Sequence, residues 1–209
     1  MGNLVQLEKE YIPFSNYLHV FRNKDLTLHN RIRDIVIGER DKYSADGKDI
    51  TSEWDQYELL KWEYPEIQQL KLMFQEAVAS YLSRANQTPS EYKMESWCNI
   101  RNKGSRHPAH IHEHAALILN YYVSTPPSSA IVFHNPVKAM AYIDWAEKWA
   151  PFEFELPVEE GMLVVSPGWL VHEVPYRHPD STGDRISISC NIAALKTNPM
   201  DSNNYNFRQ

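Results

Sequence analysis

Between Asp25 and about Tyr43 the apolar residues Leu28, Ile32, Ile35 and Val36 recur at helical spacing, with Asp25 placed to cap the first turn. Gly38 weakens the later turns. From Ser44 to Glu63 the chain is polar with scattered aromatics (Trp54, Tyr57, Trp62) and reads as a long loop with short turns. Pro65 and Glu66 then open the clearest helix, since proline suits the first helical position and a carboxylate complements the helix dipole there. Ile67, Leu70, Phe74, Val78, Tyr81 and Leu82 form one face of it, and Asn86 to Ser90 ends it. Such a stripe is core packing, and these helices are expected to cover one side of a sheet.

After Glu91 the period changes from helical to alternating. Tyr92 to Ile100 alternates as a half-buried strand does. Further strand-like runs follow at Ala116–Ser124, Ala130–His134, Phe152–Leu156, Met162–Ser166 and Arg185–Ala193. Turn signals separate them at Thr125–Ser129, Glu159–Gly161, Pro167-Gly168 and Asp180–Gly183. Many short strands punctuated in this way predict a sandwich or barrel. The tail from Lys196 is polar and reads as loosely ordered or wrapped on the surface.

With 209 residues, 43% hydrophobic and 23% charged, the composition is that of a globular chain and excludes a disordered one. The length suits a single domain: a helical portion over 1–90, a β core over 91–195 and a polar tail over 196–209. No apolar run is long enough to span a membrane. The first residues lack a basic segment followed by an apolar core, so the expected location is cytoplasmic. A net charge of −6 without a basic run argues against nucleic-acid binding and leaves homo-oligomerisation open. Cys98 and Cys190 lie in strand-like apolar contexts and are expected to be reduced packing residues.

Of nine histidines, His107, His110, His112 and His114 fall within eight residues. In an extended strand, positions two apart share a face, so His110 and His112 would present two imidazoles to one space. Imidazole favours iron, zinc, copper or nickel over magnesium or calcium. A solvated strand edge is the competing explanation. His172 follows an apolar strand and a Pro167-Gly168 turn. Thirteen residues later, Arg185, Ser187, Ser189 and Asn191 share one face of a strand whose other face is Ile186, Ile188, Cys190 and Ile192. That polar face either meets water or lines a cavity. In a cavity, the planar fork of Arg185 suits a carboxylate.

These residues resemble the iron(II)- and 2-oxoglutarate-dependent oxygenases, and within them a subgroup of small enzymes found in bacteria and phages. The resemblance runs in order through Trp97-Cys98-Asn99, Gly104, His110-Ile111-His112, Tyr121-Tyr122-Val123, Asn135-Pro136, Gly161-Met162-Leu163, Pro167 to His172, and Arg185-Ile186-Ser187. It covers roughly Ser96 to Ile192 and is specific in order and spacing, although each piece alone is weak. Much of the wider superfamily has a carboxylate where this chain has His112; the subgroup shares the second histidine. Strand parity points Glu113 and Glu173 away from the neighbouring histidines.

The resemblance implies a mainly β fold with N-terminal α-helices, a double-stranded β-helix (jelly-roll or cupin-like) core flanked by helices. It implies Fe(II) held by His110, His112 and His172, with no catalytic residue beyond the ligands. Arg185 would take the distal carboxylate of 2-oxoglutarate, assisted by Ser187 and by Tyr122, with Tyr121 the competing choice. Asn99 and Asn191 would add polar contacts. The implied reaction uses O2 to hydroxylate an organic substrate of unidentified class while 2-oxoglutarate is decarboxylated to succinate. Two other readings stand beside it: a three-histidine cupin-type dioxygenase that does not use 2-oxoglutarate, and a non-catalytic jelly-roll binding or structural protein. Trp145, Trp149 and Trp169, with the insert Pro136–Pro151, are candidates for an entrance and a lid, or for plain packing.

Overall fold

Met162–Pro167 is buried at every position, and that strand lies in the middle of the molecule, covered on both faces. The computed structural model describes residues 5–11, 18–39, 50–51, 58–101, 105–136, 152–175 and 183–199. In chain order its elements are β1 (Gln6–Tyr11), β2 (Leu18–Arg22), α1 (Leu26–Gly38), β3 (Ile50–Thr51), a 3-10 turn (Leu59–Lys61), α2 (Pro65–Ser83), β4 (Gln87–Arg101), β5 (His107–His110), β6 (Ala115–Ser124), β7 (Ala130–His134), β8 (Glu153–Pro157), β9 (Met162–Pro167), β10 (His172–Val174) and β11 (Arg185–Pro199). They form a seven-stranded sheet, β1-β2-β9-β6-β11-β4-β3, and a four-stranded sheet, β5-β10-β7-β8. Every strand pairing among the described residues is antiparallel.

Alternation along the strands of the large sheet sorts its residues between two cores. Leu163 and Val165 of β9, with Leu119 and Tyr121 of β6 and Ile188 and Cys190 of β11, pack under α2 residues such as Leu70, Phe74 and Val78. Met162 and Val164, with Leu18 and Val20 of β2 and Tyr122 of β6, face Ile131 and Phe133 of β7 and Leu156 of β8. The result is a helix layer on a two-sheet jelly roll, as the alternation and the helical stripe predict. Each large apolar side chain buried here contributes roughly 1.5–3 kcal/mol. Cys98 and Cys190 are buried on the helix side, as expected of packing residues.

Asp25 caps α1 as predicted, its side chain accepting from the Leu28 amide at 2.9 Å. The helix stops at Gly38 rather than running to Tyr43, and Glu39 forms its C-cap. The turn after α2 is also shorter than expected. Arg84, Ala85 and Asn86 make the reversal, with Asn86 at φ 54°, and β4 begins at Gln87. Residues 1–90 are not purely helical, because β1 and β2 extend the large sheet beyond β9. At its other end β11 runs on to Pro199, where the sequence suggested a loose tail. Ala194, at φ 50°, accompanies a bulge that breaks the alternation while Thr197, Asn198 and Pro199 still pair with β4. The proposed lid with Trp145 and Trp149, as well as Trp54, Tyr57, Gly104 and the chain beyond Pro199, lies outside the described residues. Among the described residues no helix is long and apolar enough to cross a membrane.

Candidate metal centre and cavity

Three imidazoles meet where the two sheets open. His110 ends β5, His172 opens β10, and the two are register partners across that strand pair. One ring nitrogen from each of His110, His112 and His172 lies within 4.8 Å of the others. Ring centroids stand 4.4 Å apart for His110 and His172, and 5.2 Å apart for each of the other two pairs.

His112 reaches the group by a different route from the one the sequence suggested. The strand ends at His110, so shared parity does not carry His112. Its amide instead donates to the Gly168 carbonyl at 2.8 Å, which fixes the chain just before the turn into β6. Trp97 stacks on its ring at 5.8 Å. His114 is exposed and stands outside the trio, although it lines the same cavity. Glu113 and Glu173 also stay out of the trio; Glu173 instead approaches His134 at 3.8 Å.

The second nitrogen of two of these rings is already committed. His110 Nδ1 lies 2.8 Å from the Pro108 carbonyl, and His172 Nδ1 lies 2.9 Å from the Leu170 carbonyl. A carbonyl only accepts, so both Nδ1 atoms carry the proton and both Nε2 lone pairs are free to bind a metal. Burial, reinforced by the neighbouring imidazoles, pushes His172 down to about 3 and His112 down to about 4. Burial lowers His110 as well. Neutral, oriented, mutually close imidazoles are a donor set suited to a borderline divalent ion such as iron, and these residues fit one.

The large sheet supplies the opposite wall of a cavity of about 420 Å³. Arg185, Ser187, Ser189 and Asn191 all line it, so the polar face of β11 turns inward as one of the two alternatives required. Arg185 is buried, with its guanidinium 5.2 Å from the centre of the Tyr122 ring. Tyr122 and Ser187 are register partners, and Ser187 is also the partner of Asn99. Burial pushes the Tyr122 phenol up to about 12, against the opposing pull of Arg185. Its hydroxyl and the Asn191 side-chain oxygen are buried without a hydrogen-bond partner of normal geometry. Buried polar atoms left over beside a guanidinium fit an anionic ligand with oxygens to share.

Tyr121 is not part of this wall. It points to the helix side, where its hydroxyl accepts from Asn23 Nδ2 at 3.1 Å and meets His29 Nδ1 at 2.8 Å. Asn99 does line the cavity, and its Nδ2 donates to Ser189 Oγ at 3.1 Å; Ser189 Oγ in turn donates to Asn120 Oδ1 at 2.7 Å. The sequence reading missed Asn120, Arg101 and His107 as lining residues and gave Trp97 only as part of a motif. Parity with Tyr122 would have found Asn120, and parity with Asn99 would have found Trp97 and Arg101. His107 stood in the histidine cluster, but its spacing of three from His110 gave it no shared face, although their ring centroids are 4.2 Å apart. Trp169 is 50% exposed and does not line the cavity.

Comparison with known proteins agrees with this geometry. Residues 95–191 match the family model described as "Putative 2OG-Fe(II) oxygenase". No curated protein matches the sequence. Among solved structures, HygX from Streptomyces hygroscopicus, with nickel and 2-oxoglutarate bound, is similar at a TM-score of 0.60 and 12% identity, over 84% of this chain and 82% of that one. The epimerase SnoN, in complex with Fe3+, α-ketoglutarate and nogalamycin RO, is similar at a TM-score of 0.59 and 11% identity, over 88% and 81%. A Pseudomonas putida prolyl-4-hydroxylase is similar at a TM-score of 0.56 and 11% identity, over 88% and 91%. At these identities the likeness is one of fold, the double-stranded β-helix. The matched segment carries the three histidines, the inward-facing arginine and the cavity floor, so this part of the chain is similar to the 2OG-Fe(II) oxygenases, and solved structures of like fold hold iron or nickel with 2-oxoglutarate.

Proposed function

We propose that this protein is a non-haem Fe(II)- and 2-oxoglutarate-dependent dioxygenase that hydroxylates an organic substrate, with decarboxylation of 2-oxoglutarate to succinate. The observation that carries the reading is the placement of three converging imidazoles and a buried Arg185 in one cavity. His110, His112 and His172 would hold the iron through nitrogens left free by the backbone carbonyls and by burial. When bound, iron with 2-oxoglutarate supplies the activation of O2 that protein side chains cannot perform.

The chain's own residues do the rest. Arg185 takes the distal carboxylate of 2-oxoglutarate, and its fork gives that carboxylate two parallel hydrogen bonds. Ser187 and the Tyr122 hydroxyl donate to the same group from adjoining strands, and the high pKa of Tyr122 keeps it protonated as a donor. Asn99 is held by Ser189 and completes the polar floor beneath that ligand. Trp97 and Ile131 shield the cavity wall from water.

The test is an anaerobic titration of metal-free protein with Fe(II) and then 2-oxoglutarate, following the visible charge-transfer band of a chelated iron–oxoacid complex. R185A and H172A run beside it. A band that needs both residues is expected, with R185A losing 2-oxoglutarate far more than iron. Iron binding without a band, together with O2 uptake that does not consume 2-oxoglutarate, would replace this reading with a three-histidine dioxygenase. The all-histidine ligand set is the observation that favours that second reading. Protein that binds neither iron nor 2-oxoglutarate would leave a binding or structural jelly roll.

A further inference from the structure

The cavity contains a second guanidinium. Arg101, the last residue of β4, is the register partner of Arg185 on β11, so the two side chains leave the sheet on the same face, and both line the cavity. Like charges opposite each other on neighbouring strands repel, a cost that anionic ligands offset. Arg101 is half-buried, and its guanidinium donates to His107 Nδ1 at 2.9 Å. Arginine has no acceptor atom, so this bond fixes Nδ1 of His107 as the acceptor and leaves the proton on Nε2. Arg101 and His107 thus form one oriented group of N–H donors. The His107 ring stands against His110, centroids 4.2 Å apart, which places these donors one imidazole away from the metal trio.

Charge points the same way. Among the described residues that line the cavity there are two arginines and one acid, the exposed Glu113. Neutral imidazoles bring no charge to offset a divalent ion. A cavity of about 420 Å³ also has room for more than a five-carbon diacid.

We propose that Arg101, oriented by His107, is the anchor for an anionic group, a carboxylate or a phosphate, on the primary substrate. The proposal rests on the reading in which Arg185 is occupied by 2-oxoglutarate. Because the anchor adjoins the metal trio, the substrate it selects is a small acid whose reacting carbon lies a few bonds from the charged group.

Paramagnetic Fe(II) broadens the NMR lines of nuclei bound close to it, which gives a test that needs no turnover. Anaerobic protein loaded with Fe(II) and 2-oxoglutarate is titrated with inorganic phosphate, read at its 31P line, and with acetate, read at its methyl proton line. Broadening is expected for at least one anion in the parent protein, and the anion that responds identifies the substrate's charged group. R101Q should weaken it by roughly tenfold or more, as loss of a charge-assisted pair does. R101K keeps the charge but loses the fork, and should give an intermediate value. Should R101Q fail to fold, as near-UV circular dichroism would reveal, R101K carries the comparison.

The 2-oxoglutarate charge-transfer band should survive R101Q and disappear in R185A, while R185A retains the anion broadening. No broadening in the parent protein, or broadening that R101Q and R101K leave unchanged, would overturn the anchor. Loss of the band in R101Q would overturn it too, by making Arg101 part of the cosubstrate clamp. If the parent protein shows no band but its anion broadening depends on Arg101 and not on Arg185, the cosubstrate reading fails and the anchor stands.

Discussion

The amide of His112 donates to the carbonyl of Gly168 at 2.8 Å, and the amide of Gly168 donates to the carbonyl of Ala116 at 3.1 Å. These bonds tie the turn before β10 to the segment that carries the third imidazole. A Cβ at position 168 would stand 2.1 Å from the Ala115 carbonyl oxygen, so the approach requires glycine.

G168A therefore forces backbone away from backbone, with no flexible side chain to absorb the shift. It should destabilise the metal-free fold by about 1–3 kcal/mol, the usual cost of overpacking. It should also weaken metal binding, because the segment that moves holds His112. Chemical denaturation and Co(II) titration check both effects. A variant with parental stability and Co(II) affinity would show that the close approach is not what positions His112.

The two adjacent tyrosines should separate stability from cosubstrate binding. The Tyr122 hydroxyl is buried without a hydrogen-bond partner of normal geometry, so Y122F should cost little stability. The same change should weaken 2-oxoglutarate binding by roughly tenfold, the worth of about one hydrogen bond. Y121F removes the contacts with Asn23 and His29, and should cost about 1–2 kcal/mol while cosubstrate affinity holds. The opposite pattern would exchange the roles given to the two residues.

Ser189 joins Asn99 and Asn120 through one hydroxyl. S189A would leave the Asn120 side-chain oxygen and the Asn99 amide without that partner in a half-buried floor. An unsatisfied polar group of this kind costs about 1–3 kcal/mol. The double variant S189A/N120A should recover part of that loss in urea unfolding, because the pair is then removed together. Additive losses would deny the coupling.

The pH dependence of stability should carry a contribution from His29. Burial holds its pKa below the usual 6.5, and outweighs the raising effect of Glu160. As pH falls through 6.5 the unfolded chain takes up the proton first. The stability His29 contributes is thus present above that value and lost as pH drops toward the lower folded pKa. In metal-free protein the stability advantage of the parent over H29N should shrink between about pH 7.5 and pH 5.5. An advantage constant across that range would mean that His29 is not held neutral by burial.

What the sequence by itself determined is local periodicity and its consequences. The stripe from Ile67 to Leu82 makes α2 a core-facing helix, and Asp25 places the start of α1. The alternation after Arg185 puts a polar row opposite Ile186, Ile188, Cys190 and Ile192. The order of the motifs fixed the candidates His110, His112, His172 and Arg185. Periodicity states which residues share a face, but not what that face meets. Tyr121 and Tyr122 were certain to point opposite ways, and only the packing of α2 on one side of β6 assigned Tyr122 to the cavity. The same limit hid β2, a short strand whose partner, β9, lies about 140 residues further along the chain, and β1, which joins the sheet only through β2. His112 needed the Gly168 carbonyl to bring it home once its strand had ended, and Arg101 with His107 joined the cavity through cross-strand register and one hydrogen bond. These relationships depend on long-range pairing, a property of the closed sheets that no window of the sequence contains.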